Sequence, residues 1–189
     1  MVAVALPPMV LAGIGLSHPT LLSAGTAPWW MTMHIVLLPI FPLLGVSAWA
    51  LLRNERTAVG WGRRVAAITY TAFYGGLDAV SGIAAGTVVR AGADPKSELV
   101  SSLFAAGRPL GYIGSFALFV AVILVLASAW RAGSRGWLFF AAAGVALVSA
   151  YLFTVGHIYW PKGVIAMLGL AASFAVIESI RARRSEPTP

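Results

Sequence analysis

PLGYIGSFALFVAVILVLASAW, residues 109–130, contains no charged side chain in 22 positions and is closed by Arg131. Roughly 20 residues at about 1.5 Å each cross the hydrocarbon core of a bilayer as one helix, so this run is a membrane span. Pro109 suits its first helical position, where the missing N–H has no intrahelical partner to lose.

The same pattern recurs outward from this run. Residues 31–52 form a span with Pro39 and Pro42 inside it, which are expected to kink it, and Arg53 closes it. Residues 65–89 form a longer, more polar span ended by Arg90. Residues 136–156 and 161–180 are separated only by His157, Ile158, Tyr159 and Trp160, which makes them antiparallel neighbours. The amino-terminal run, 1–17, is broken by Pro7 and Pro8 and lacks the positive start of a signal peptide. Its reading is a sixth, kinked or shallow span, with five spans as the alternative.

Composition agrees with this pattern. The chain is 59% hydrophobic and 10% charged with a mean hydropathy of +0.87, against about 25% charged in a soluble domain. The expected fold class is all-α: a polytopic membrane helix bundle, one integral-membrane domain over residues 1–189, with the lipid bilayer as its first partner. The lack of cysteine excludes disulfides, thiolate metal sites and iron–sulfur clusters.

The net charge of +7 is a topology signal rather than a nucleic-acid footprint. Arg53, Arg56, Arg63, Arg64, Arg131, Arg135, Arg181, Arg183 and Arg184 fall on one side when the spans alternate; Arg90, Lys96, Arg108 and Lys162 fall on the other. The positive-inside rule puts the first group, with the carboxyl terminus, in the cytoplasm, and a prokaryotic cytoplasmic membrane is the expected location. Trp29, Trp30, Tyr159 and Trp160 then join an outer aromatic belt. Glu178 is placed to pair with Arg181. Within the outer segment 91–108, Asp94 as a cap, Pro95 at the first position and Gly107 past the end predict a short interfacial helix, with Leu99, Leu103 and Phe104 on one face.

Two constellations carry chemistry. Asp78 lies near the middle of the 65–89 span, where a charge costs about 2.5–3.5 kcal/mol, so it must face protein or water. Steps of four from it reach Tyr74 and Tyr70 one way and Gly82 and Gly86 the other, with Ser81 and Thr87 nearby. One face thus presents two phenols and a carboxylate, suited to relaying protons or acting on a lipid-soluble substrate, followed by a small-residue groove; the plainer role is holding helices together.

The second constellation is His18, His34 and His157, the chain's three histidines. Either topology puts all three near the outer surface, and three imidazoles make a transition-metal site if those helix ends converge. Met31, one helical turn before His34, adds a thioether that would favour copper; a haem held by His34 and His157 is a variant.

No phosphate loop, serine elbow or His-Glu-x-x-His pair is present. Three readings follow. The first is an outward-facing metal or haem protein doing redox chemistry, with an Asp78–Tyr74–Tyr70 relay. The second is a small proton- or cation-coupled transporter or channel centred on Asp78. The third is a noncatalytic subunit of a homo- or hetero-oligomeric membrane complex that meets its partner through small-residue faces such as Gly169 and Ser173.

Overall fold

A computed structural model describes residues 2–51 and 55–185, and the described residues form helices with no strand. In chain order these are α1 (Val2–Gly15), α2 (Ala27–Ala50), α3 (Ala58–Leu77), a π-helical segment (Asp78–Ala84), α4 (Ala85–Arg90), α5 (Glu98–Arg131), α6 (Trp137–Gly156) and α7 (Lys162–Ser185). The units α3, π segment and α4 run on as one helix, so five helices are long and apolar enough to cross a membrane. The all-α membrane bundle is therefore the observed architecture. α1 stands where a sixth span was expected, but its 14 residues rise only about 21 Å, short of a bilayer core.

The helices associate through an apolar centre that includes Leu37, Phe41, Tyr70, Leu118, Met167 and Phe174, each fully buried. α5 packs along α3, α7 along α6, and α1 lies on α7 and α2. Outside, the usual order of a soluble protein is inverted: Trp137 is 79% exposed, Phe116 63% and Val65 61%. Such a continuous apolar exterior is the surface that lipid covers. α2 runs helically through Pro39 and Pro42; the expected positions 52 and 53 at its close lie outside the described residues.

The segment 91–108 departs from its expected form. Its helix is the beginning of α5, continuous with the span, rather than a separate interfacial element. Ser97, extended at φ −62° and ψ 156°, caps it by accepting from the Val100 N–H, while Asp94 closes a turn by accepting from the Lys96 N–H. Pro109 is internal, and Gly107 is a contact glycine: a Cβ there would stand 2.0 Å from Ser81 Oγ. One missing N–H breaks one hydrogen bond in a 34-residue helix, and packing against the π segment overrides that local loss.

At the end away from the histidines, Arg184 Nη1 donates to the Ala132 carbonyl at 3.4 Å and Glu178 pairs with Arg181 at 3.3 Å. The buried Arg63 meets Glu55 at 3.8 Å in the same region. The basic residues of the tail, the α5–α6 turn and the start of α3 thus share one end of the bundle, as alternating spans require.

Candidate metal centre

The three histidines come from three unconnected helix ends: His18 follows α1, His34 lies in the second turn of α2, and His157 closes α6. Each offers one ring nitrogen to a group whose members all lie within 4.8 Å of one another. His18 meets the other two rings edge-on, at centroid distances of 5.1 Å to His34 and 5.3 Å to His157. His34 and His157 lie parallel to each other at 6.4 Å. His18 and His34 are 6% and 4% exposed, and His157 is half-buried.

Hydrogen bonds orient all three rings in the same sense. A carbonyl only accepts, so His18 Nδ1–H donates to the Pro19 carbonyl at 2.8 Å and His34 Nδ1–H donates to the Trp30 carbonyl at 2.7 Å. Nδ1 of His157 is paired with the Tyr74 hydroxyl. The nitrogen left for a ligand is therefore Nε2 on each ring, and that of His18 is buried with no partner. Fixing one imidazole nitrogen so that the other presents its lone pair is how proteins orient metal-binding histidines. His157 also adopts φ +48°, a conformation that costs a non-glycine residue about 1–3 kcal/mol and is retained where the surroundings enforce it.

The π segment brings the remaining groups. Widening a helix by one residue per turn displaces carbonyls from their usual partners, and the Trp30 indole donates to one of them, that of Ser81, at 3.2 Å. Asp78 opens the segment and is 1% exposed; its Oδ1 stands 3.9 Å from His34 Nε2, and neither carboxyl oxygen has a hydrogen-bond partner. Gly82 admits His34: a Cβ there would lie 2.2 Å from the ring's Cδ2 and 2.3 Å from its Cγ. Of the two glycines of the expected groove, Gly82 makes room for this imidazole, while Gly86 lies against Trp30 and Met31.

The predicted site residues do not all meet. Tyr74 reaches His157, and the Tyr70 ring packs 5.3 Å from that of Tyr74, but the Tyr70 hydroxyl is buried without a partner. Met31 directs its sulfur to Arg90 Nη1 at 3.9 Å. The sequence did not single out Tyr159 as part of the site, although its ring lies 4.3 Å from that of His18. Its spacing two residues after His157 was the available signal.

The site's electrostatics favour neutral imidazoles. Burial holds the His18 imidazole down at about 4; the Pro19 carbonyl opposes this and the neighbouring His34 reinforces it. Burial, then the nearness of His18 and His34, holds His157 well below the ordinary histidine value. Burial pushes the Tyr159 phenol up to about 12. A neutral imidazole is the form in which histidine can bind a metal.

A cavity of about 460 Å³ adjoins the group; His34, His157, Tyr74 and Asp78 line it together with residues of α5 and α6. Comparison with protein-family models, with curated proteins and with solved structures yields no match to this chain.

Proposed function

We propose that this integral membrane protein is a metalloprotein whose His18, His34 and His157 hold one divalent transition-metal ion through Nε2, with an open coordination position facing the cavity. The observation that carries this reading is the convergence of the three ring nitrogens within 4.8 Å. A central ion would then lie no more than about 2.8 Å from each nitrogen, and closures of under about 1 Å give bonds of about 2.0–2.1 Å.

Three neutral imidazoles with a carboxylate beside them suit zinc, and also iron or copper in the divalent state. Met31, turned to Arg90, lends no support to a cuprous thioether site. The edge of His18 against both other rings favours a tripod around an ion over a flat haem between His34 and His157. By the positive-inside rule the arginine end lies in the cytoplasm, which puts the metal near the outer surface.

The test is metal analysis of protein purified in mild detergent, followed by titration with Zn²⁺ and Co²⁺. One ion per chain is expected, with cobalt giving the visible bands of a low-coordinate site, and His34→Ala or His157→Ala should reduce occupancy to background. A preparation that carries no metal and takes up neither ion removes the proposal.

A further inference from the structure

The cavity has an opening that the metal centre alone does not require. Its α5 and α6 walls include Tyr112, 61% exposed, and Val155, 59% exposed, on two helices long and apolar enough to cross a membrane. These two exposed wall residues mark the gap between α5 and α6 as the side on which a lipid could enter. Arg108 also lines it, one helical turn from Tyr112 towards the histidine end of α5, and its side chain is exposed.

The depth of the site selects a type of bond. His34 is the seventh residue after Ala27, the first residue of α2, so it lies about 10 Å along that helix. With the start of α2 set at the outer water boundary and headgroup regions of about 5–8 Å flanking the core, the proposed ion would lie close to the boundary between headgroups and acyl chains. Acyl ester linkages of membrane lipids occupy that level, with anionic headgroups outside them, and Arg108 lines the same cavity.

Resting on the metal reading above, we propose that the cavity admits an ester-linked lipid with an anionic headgroup sideways from the bilayer and that the protein hydrolyses its acyl ester. Arg108 pairs with the headgroup, and Phe104, Leu77 and Phe153 line the path of the chain. Asp78 is the catalytic base. It stands on the cavity side, 3.9 Å from His34 Nε2, within reach of a water held on an ion about 2 Å from that nitrogen. Asp78 takes a proton from this water, whose oxygen bonds to the ester carbonyl carbon. The carbon–oxygen bond to the glycerol breaks, and the leaving oxygen takes the proton from Asp78. Water is the only co-reactant, the products are a fatty acid and an alcohol, and nothing is oxidised or reduced.

The experiment uses the full chain, zinc-loaded, in mixed vesicles of phosphatidylglycerol and phosphatidylcholine made in ¹⁸O water, with fatty acid read by mass spectrometry and zinc content read in parallel. Release of singly labelled fatty acid, faster from phosphatidylglycerol, is expected. Asp78→Asn should keep its zinc and lose at least about 100-fold in rate. Arg108→Gln should lose about tenfold or more on phosphatidylglycerol and less on phosphatidylcholine, so that the ratio of the two rates falls. Zinc-loaded protein that releases no fatty acid above protein-free vesicles overturns this inference and leaves the metal centre standing; protein without zinc overturns the metal centre itself. Loss of zinc from a folded Asp78→Asn variant makes Asp78 a ligand and overturns its role as base, and an unchanged lipid ratio in Arg108→Gln overturns the headgroup assignment.

Discussion

Replacing Gly82 with alanine tests the site at the point where its geometry is tightest. The new Cβ would stand 2.2 Å from His34 Cδ2, 2.3 Å from Cγ and 2.7 Å from the His34 Cβ, so the obstruction involves the root of the side chain and a rotation of the ring tip cannot relieve it. Reaching an ordinary contact of at least 3.4 Å requires the imidazole to retreat by about 1.2 Å, more than half of a metal–nitrogen bond near 2.0 Å. The Trp30 carbonyl holds Nδ1 at 2.7 Å, so retreat strains that bond as well. Overpacking of this kind costs about 1–3 kcal/mol, and if it falls on the bound form it appears as a loss of about 5- to 150-fold in zinc affinity, at 1.4 kcal/mol per tenfold. Competition with a chromophoric chelator measures this directly, and the cobalt spectrum reports whether one imidazole has left. Gly75→Ala is the control on the same helix, because nothing lies within 4 Å of its added Cβ. A Gly82→Ala protein that melts like the parent and binds zinc equally tightly would refute both the packing argument and the role given to His34.

Other consequences can be checked on the same protein. Tyr74→Phe removes the hydroxyl paired with His157 Nδ1 and should weaken zinc binding by about 10- to 100-fold with the helix content unchanged by circular dichroism. Tyr70→Phe removes a buried hydroxyl that has no partner and should leave the melting temperature equal or higher, by up to about 1 kcal/mol of stability; a clear loss of stability would show that the hydroxyl is engaged. The pH profile of the metal-free protein should fall on the acid side: with His18 at about 4 in the folded state against 6.5 ordinarily, the unfolded chain binds the extra proton between those values. Stability is then undiminished above pH 6.5 and declines by about 3 kcal/mol on the way to pH 4, at about 1.4 kcal/mol per unit. His157 acts in the same direction, and thermal melts that are flat across that window would contradict neutral burial of the pair.

The spans were legible because a bilayer admits so few solutions: an uncharged 22-residue run has one reading. The start of α5 was less legible because Pro109 and Gly107 carry local signals for a boundary, and those signals were outweighed by contacts with Ser81 and Leu77 that no local pattern contains. Alternation of the spans was enough to put His18, His34 and His157 on one side, but not to bring them together. That depends on α1 folding back onto α7 and α2, which sets the end of a short helix beside two others.

The step of four from Tyr70 to Gly86 placed the right residues on one surface but assumed an unbroken α-helix. The π segment at Asp78–Ala84 changes the phase within that surface. Asp78, at the segment's first position, stands by His34 without a hydrogen bond to the tyrosines, and the phenols divide: Tyr74 pairs with His157, and Tyr70 lies in the apolar centre. Both the carboxylate and the glycine that seats His34 lie in this one irregular segment. A change that restores regular α-helix there would turn Gly82 relative to Asp78 and so disturb the recess that admits His34. One irregular segment thus carries both the acid beside the three gathered histidines and the glycine that makes room for one of them.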